Sequence, residues 1–352
     1  MKKLLTLPKF ITRQSVLAFT GYAVMFVTIV SVLSFGFLLY KTKVMVYLSL
    51  HPDSYELLEQ TEPFPVGVNP NLKRITENND VEDYFEENIT ASDKKVRRHT
   101  ALRTNWLFRT IGVLASFNWY QNLASPTSRI LIIWPGNRKE EVAGSFGDIL
   151  DWNDEARERF LDIVSGSTPQ IAEGKFYPST YIVARGARPD EVAALILSEF
   201  DTSVLKRYDE KISKVVPLSE TLTIASLLER EALDFEDMRY ISGIIWNRLF
   251  AGMKLQLDAT LQYAKVESTS ENYWPVVRPV DKNIESPFNT YLNKGLPPAP
   301  ISNPSLAAIL AALNPRETDC MYYFHDSKRQ FHCTNTYEEH VEQLTLYYGR
   351  GK

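Results

Sequence analysis

The chain has 352 residues, 44% of them hydrophobic and 12% aromatic, too long for one average domain and too apolar for a disordered scaffold. A formal charge of -4 leaves no general electrostatic footprint for nucleic acid. Cys320 and Cys333 are its two cysteines, too few for a disulfide framework or a zinc cluster.

Between residues 14 and 40 no side chain is charged, and the run VLAFTGYAVMFVTIVSVLSFGFLLY is long enough as a helix to cross ~30 Å of hydrocarbon. A single transmembrane helix is therefore expected over 14–40. Lys2, Lys3, Lys9 and Arg13 precede it without an acid, whereas only Lys41 and Lys43 follow before acids appear. The positive-inside bias puts residues 1–13 in the cytoplasm and the rest of the chain on the outer, periplasmic side of the cytoplasmic (inner) membrane. A cleaved signal peptide fits less well, because the apolar run outlasts an ordinary h-region and lacks a small-x-small exit.

Residues 41–128 read as a membrane-proximal spacer. Pro63, Pro65 and Pro70 punctuate a loop-like stretch, and 81–122 has helical-looking segments with Lys94, Lys95, Arg97, Arg98 and Arg103 in a basic cluster. That cluster reads as a solvated helix face rather than a head-group contact, and the glycosylation triplet at Asn88 as chance.

Over 129–200 a small α/β module is expected. RILIIW from Arg129 is a strand, Pro135-Gly136 turns the chain into a helix over 139–150, and Asn153 caps another reaching Val164. A second strand ends near Val183, Gly186 turns, and Pro189 opens a helix ending near Phe200. Such a module resembles the LysM type, which binds glycans containing N-acetylglucosamine; a packing role is the alternative.

The remainder, 201–352, carries the candidate chemistry. Ile224, Leu227, Leu228 and Glu231 fall at i, i+3, i+4 and i+7, one buried helical stripe, so Glu231 points where a hydrophobe belongs. Glu229 falls near the opposite side, flanked by Ala225 and Arg230, as a solvated charge. A carboxyl among apolar neighbours holds its proton more tightly, to a pKa of ~6 in glycosidase acids. The bland reading pairs Glu231 with Arg230, Arg239 or Arg248. Asp234 caps a second helix with the stripe Met238, Ile241, Ile245 and Leu249, and Gly252 ends it.

Beyond it, Leu255 to Asp258 alternates like a strand edge, with Gln256 and Asp258 on one face. SPFNTY and GLPPAP are rigid loops suited to a cleft rim. A short helix over 306–313 stops at Asn314-Pro315, and two strands form a hairpin around Asp326. The simplest register sets Cys333 opposite Tyr322, leaving the two thiols diagonal and rather far apart for a bond. His325 and His340 lack partners at metal-ligand spacing, and no Ser/His/Asp arrangement or phosphate-binding glycine loop is visible. Neither metal nor cofactor is expected.

IASLLEREA, WNRLFAGMKLQLDATLQY, SPFNTY, GLPPAPISNPS, ALNP, YYF and FHCTNTYEEH, in that order, resemble the successive blocks of the YceG-like, endolytic murein transglycosylase family. The match covers about 173–340. The resemblance implies an α+β protein with a single N-terminal transmembrane helix, a LysM-like subdomain and a mixed α+β catalytic domain. It implies a lyase that cuts uncrosslinked peptidoglycan glycan strands and leaves 1,6-anhydro-N-acetylmuramic ends. Penicillin-binding proteins of wall synthesis are the partners in view. The second Glu of the family's Ala-Ser-x-x-Glu-x-Glu block falls on Glu231, which the helical pattern had already singled out.

Within these blocks Gln256, Asp258, Asn289, Tyr291 and Asn335 are candidates to hold the sugars, with fixing their own loops as the equal alternative. Asn247 and Arg248 are expected to brace Glu231 or the loop after Gly252. The chain departs from the family at Ala259, where proline is common and whose absence is expected to loosen the loop, and at Ser302, which replaces a small apolar residue. An ordinary glycoside hydrolase, with Asp258 or Glu229 as second carboxylate, and a non-catalytic anchored glycan-binding or assembly protein are the competing readings.

Overall fold

The computed structural model describes residues 62–77, 128–266 and 272–349, together with Met25 and Thr28, both helical. The rest of the expected span over 14–40, the basic cluster at 94–103 and the Asn88 triplet lie outside the described residues. Among the described residues no helix is long and apolar enough to cross a membrane.

The fold is mixed α+β, with short antiparallel two-stranded ladders set among helices. It begins with a hairpin, β1 (Val68–Asn69) and β2 (Arg74–Ile75). This stretch falls inside the expected spacer, yet Phe64, Val68 and Ile75 are buried in the core that also holds Ile224 and Leu228. Phe64 N–H donates to the Arg207 carbonyl and Gly67 N–H to the Leu313 carbonyl, both at 3.0 Å. Three prolines hide the segment from any periodicity argument, because its burial comes from partners far along the chain.

The α/β module follows the sequence reading closely: β3 (Ser128–Ile132), α1 (Lys139–Leu150), α2 (Asp154–Gly166), β4 (Thr180–Ala184) and α3 (Pro189–Ser203). β3 and β4 pair antiparallel with Ile130 opposite Ile182. Asn153 caps α2 by accepting from Ala156 N–H at 2.9 Å. Leu131 and Ile133 turn inward onto Phe146, Phe160 and Phe176 to make a core of their own. Helix α3 serves two cores: Val192, Ala193 and Ile196 belong to the module, Phe200 to the next.

That second core is built on α5. After a 3-10 turn (Leu205–Arg207) and α4 (Glu210–Val215) come α5 (Leu218–Glu231), α6 (Phe235–Phe250), α7 (Asp258–Lys265) and α8 (Leu306–Leu313). Every residue of α5 between Thr221 and Leu228 is buried, so the helix is wrapped all round instead of showing one apolar stripe. Its polar side chains are satisfied locally: Thr223 Oγ1 donates to the Ser219 carbonyl and Ser226 Oγ to the Thr223 carbonyl, both at 2.7 Å. The alanines of α8 let it pack closely against both α5 and α6. Asp234 caps α6 by accepting from Asp237 N–H at 3.0 Å.

The chain closes with β5 (Tyr322–His325), β6 (Phe331–Thr334) and α9 (Tyr337–Tyr348). The hairpin register is one residue from the simplest one: Cys333 faces Tyr323, and Tyr322 faces Thr334. Cys320, just outside the strand, comes to a Cα distance of 5.8 Å from Cys333 and is bonded to it. The sequence expectation of two separated thiols is thereby corrected.

Module and second core meet at Asn303. Its Oδ1 accepts from the N–H groups of Gly174 (2.9 Å) and Phe176 (3.0 Å), while its Nδ2 donates to the Asn137 carbonyl (3.0 Å) and to Glu173 Oε1 (2.8 Å). Glu173 is 1% exposed. Burial, reinforced by Glu140, pushes its carboxyl up to about 8 against the pull of Lys139 and Arg138.

Two outcomes follow from this packing. A methyl group at Gly243 of α6 would stand 2.3 Å from the Arg316 carbonyl oxygen, so Gly243→Ala is expected to cost about 1–3 kcal/mol in urea unfolding. Because the folded Glu173 carboxyl binds its proton more tightly than the unfolded one, its contribution to stability is complete below the unfolded value and is lost as pH rises through about 8. Glu173→Gln removes that loss, so thermal unfolding should show the variant gaining on the parent protein from pH ~5 to pH ~9.

Candidate functional site

Helix α5 ends at Glu231, where the buried stretch gives way to solvent. The residue is partly exposed, and its carboxylate bridges two other elements. Tyr323 Oη on β5 donates to Oε2 at 2.9 Å, and Ala259 N–H in the first turn of α7 donates to Oε1 at 3.4 Å. Burial raises the Glu231 carboxyl above its ordinary range; the Tyr323 and Ala259 donors pull it back down, the nearby charge of Asp258 pushes it up again, and the charge of Arg230 lowers it slightly. Tyr323 is held well above its own ordinary value by burial and by Glu231, so its hydroxyl stays a donor.

The expected arginine partners are occupied elsewhere. Arg239 Nε donates to the Asn314 carbonyl at 3.0 Å, and the Arg230 guanidinium lies 3.8 Å over the Trp274 ring. Arg248 Nε donates to the Met321 carbonyl at 2.7 Å, and its Nη1 to the Leu255 carbonyl. Asn247 Nδ2 donates to the carbonyls of Thr318 (2.6 Å) and Cys320 (3.2 Å). Asn247 and Arg248 therefore brace the loop after Gly252 and the chain entering β5, which carries Tyr323. Glu231 is left as an acid with hydrogen-bond donors around it.

The other sequence candidates divide. Gln256 and Asp258 are exposed and Leu255 and Leu257 buried, so the alternation holds, but the segment is a helix entry and not a strand: Gln256 has φ 52° and Asp258 begins α7. Asp258 Oδ1 accepts from Tyr291 Oη at 2.6 Å, and both residues act electrostatically on the Glu231–Tyr323 pair. Asn289 is 0% exposed. Its Nδ2 donates to the carbonyls of Lys282 and Ile284 and its Oδ1 accepts from Tyr291 N–H, leaving it a loop-fixing residue. Asn335 lies apart, lining a groove with Asp319, the Cys320–Cys333 pair and Glu339.

Glu229 also departs from its expected role. Its Oε2 accepts from Ser305 N–H at 3.0 Å and Ser305 Oγ at 2.7 Å, at the N-terminus of α8. The substitutions Ala259 and Ser302 are absorbed. Leu257 N–H donates to Thr290 Oγ1 at 3.0 Å and Gln256 N–H to the Thr290 carbonyl at 3.1 Å, fixing the loop without proline. Ala259 in turn has an N–H to offer Glu231, which proline lacks. Ser302 Oγ donates to the Ser226 carbonyl at 3.2 Å.

Sequence reasoning missed Tyr323 and Ala259. Each is distant in sequence from Glu231, and no period links them. Tyr323 also stacks on Phe331 at 5.9 Å, and Phe331 on Tyr240 of α6 at 5.6 Å, so a row of rings runs from Tyr240, itself 38% exposed, to the acid.

A family model described as the YceG-like family matches residues 79–345. Proteins named endolytic murein transglycosylase align at 32% identity: one from Streptococcus pneumoniae over 48% of this chain and 31% of its own length, one from Bacillus subtilis over 53% and 51%. The chain thus spans about a third to a half of the length of these curated relatives. A crystal structure of a YceG-like protein from Listeria monocytogenes superposes with a TM-score of 0.53 at 25% identity, covering 61% of this chain and 75% of that one.

Tyr323→Phe removes a donor that favours the ionised carboxylate, so the Glu231 pKa is expected to rise further, read as a shift of its carboxyl carbon titration to higher pH in NMR. An unmoved titration would mean that the hydroxyl does not hold this acid.

Proposed function

The chain belongs to the YceG-like family, and from that premise we propose that it is an endolytic lytic transglycosylase of peptidoglycan. The observation that carries this reading is the Glu231 carboxyl, desolvated at a helix end and clasped by Tyr323 and Ala259, with the neighbouring Arg230 turned onto Trp274 and acting on it only through its charge. Such a group keeps its proton to higher pH than an ordinary glutamate does, and it is partly exposed. As an acid, Glu231 protonates the glycosidic oxygen between N-acetylmuramic acid and N-acetylglucosamine while positive charge grows at the muramic anomeric carbon, next to that sugar's N-acetyl group. As the resulting carboxylate, it takes the proton of the same sugar's C6 hydroxyl, whose oxygen closes on the anomeric carbon to give the 1,6-anhydro ring. The bond to the leaving sugar breaks and no water is consumed. We assign the orienting of the sugars to Asp258 and Tyr291, which are bonded to each other and act electrostatically on the Glu231–Tyr323 pair, with the exposed Gln256 two residues from Asp258.

In this reading the apolar run 14–40 anchors the chain with its N-terminus in the cytoplasm. The LysM-like module over 129–200 and the catalytic part lie outside, among nascent strands made by penicillin-binding proteins. A second reading, hydrolysis, is favoured by one observation: Asp258 is close enough to oppose ionisation of Glu231, as a partner carboxylate would be. Glu229, tied to Ser305, is not available for that role.

Mass spectrometry of fragments from isolated peptidoglycan separates the two, since anhydro ends mark the lytic reaction and reducing ends hydrolysis. Glu231→Gln is expected to lower the rate by ~10² to 10⁴-fold; equal fragment release with and without the change would mean that Glu231 is not the catalytic acid. Because burial raises the folded Glu231 pKa, the stability it contributes is complete at low pH and lost as pH rises through that value. The glutamine variant should therefore unfold at the same or a higher temperature than the parent at neutral pH.

A further inference from the structure

The rim of the Glu231 site carries a lysine that no periodic pattern singles out. Lys282 lies in a 3-10 turn, Pro279–Asn283, and is exposed. Its ammonium stands 4.7 Å from the centre of the Tyr291 ring, whose electron-rich face attracts a cation. Tyr291 Oη in turn donates to Asp258 Oδ1 at 2.6 Å, and the next residue, Ala259, supplies the N–H that holds Glu231. A short run of contacts therefore leads from the ammonium to the acid.

One buried amide fixes both partners. Asn289 Nδ2 donates to the carbonyls of Lys282 (3.1 Å) and Ile284 (2.8 Å), while its Oδ1 accepts from Tyr291 N–H at 2.9 Å. The turn under Lys282 and the loop under Tyr291 are thus joined at their backbones. The carboxylate next to Lys282 in the chain is already engaged: Asp281 Oδ2 pairs with Lys265 Nζ at 2.8 Å and accepts from Arg278 N–H at 2.7 Å. Among the described residues Lys282 has no carboxylate partner. An ammonium resting on a ring face keeps N–H donors to spare, so Lys282 is a cation on a fixed mount, with its charge unpaired, beside the residues that surround the acid.

Muramic acid differs from glucosamine by a lactyl ether at C3, two ring bonds from the anomeric carbon at which the strand is cut in the reading above. That ether ends in a carboxyl group, either free or joined to a peptide with carboxylates of its own. We propose that Lys282 is the anion-recognition residue of this site and pairs with a carboxylate borne on the muramic side chain. The inference rests on the glycan-cleaving reading and adds how the enzyme tells the two sugars apart at the cut: a strand without carboxylates leaves the lysine without its partner. Because the pair is exposed, it contributes to binding and register and not to proton transfer.

The test uses the full chain in detergent micelles and soluble, uncrosslinked strands in three forms: bearing peptides, trimmed by an amidase to the free lactyl carboxylate, and bearing peptides with every carboxyl capped as a methylamide. Lys282→Gln is expected to raise KM about tenfold on carboxylate-bearing strands with kcat kept, the pattern of a lost binding contact. Lys282→Arg should recover most of that loss, and the difference between the parent protein and the glutamine variant should vanish on capped strands. A loss confined to peptide-bearing strands assigns the pair to the peptide, and one confined to trimmed strands assigns it to the lactyl group. Lys206→Gln, at an exposed lysine of the 3-10 turn Leu205–Arg207, should leave KM as it was on every strand. If Lys282→Gln matches its parent on both carboxylate-bearing strands, or loses as much on capped ones, the anion pairing is wrong while the proposed activity stands. If the parent protein releases no fragments from any of the strands, the functional reading falls and the pairing with it.

Discussion

A carboxyl group can be left in a half-dry place only if its surroundings decide which protonation state it keeps, and Glu231 shows how this fold makes that decision. Helix α5 is buried on every side between Thr221 and Leu228, so its direction and depth are set by packing against α6 and α8. The final residue then emerges where three separate elements converge: the helix end, β5 through Tyr323 and α7 through Ala259. Desolvation favours the acid, whereas the two donors favour the anion. The balance between them suits the role proposed for Glu231, in which the group first gives a proton and then takes one.

The scaffold around this point is devoted to holding those donors still. Arg248 and Asn247 do not touch Glu231; they fix the carbonyls of Met321, Leu255, Thr318 and Cys320, and so the approach of both the hairpin and the loop that leads into α7. Across the hairpin, Cys333 stands opposite Tyr323 in register, so the bond to Cys320 anchors the residue directly facing the donor. Glu229, one turn-fraction away from Glu231 on the same helix, is spent on the N-terminus of α8, where an anion is favoured by the helix dipole. Two glutamates two residues apart thus have different work because they face different neighbours.

Much of this was legible in the chain itself. The module's helices begin and end where Asn153, Pro189 and the Pro135-Gly136 turn put them, because caps and turns are local chemistry. Glu231 stood out because a 3.6-residue period makes a misplaced charge visible. What stayed hidden was non-local. Tyr323 reaches Glu231 across 92 positions, and Phe64 is buried by residues more than a hundred positions away; neither relation leaves a periodic trace. The cysteine pairing turned on a single-residue register shift, which alternation alone does not fix. The solvated face assigned to Glu229 and Ala225 failed because α5 is central, and a helix packed on all sides no longer separates wet from dry positions.

Asn303 connects these levels. Its one amide serves Gly174, Phe176, Asn137 and Glu173 at once, while the preceding Ser302 and Ile301 are pinned to Ser226 of α5. The module's turn and the helix that ends in Glu231 are therefore tied to the same three consecutive residues. Rotation of the module against the second core would break several buried hydrogen bonds together, each costly to leave unmade. The module's turn is consequently held in a fixed relation to the helix end that carries Glu231.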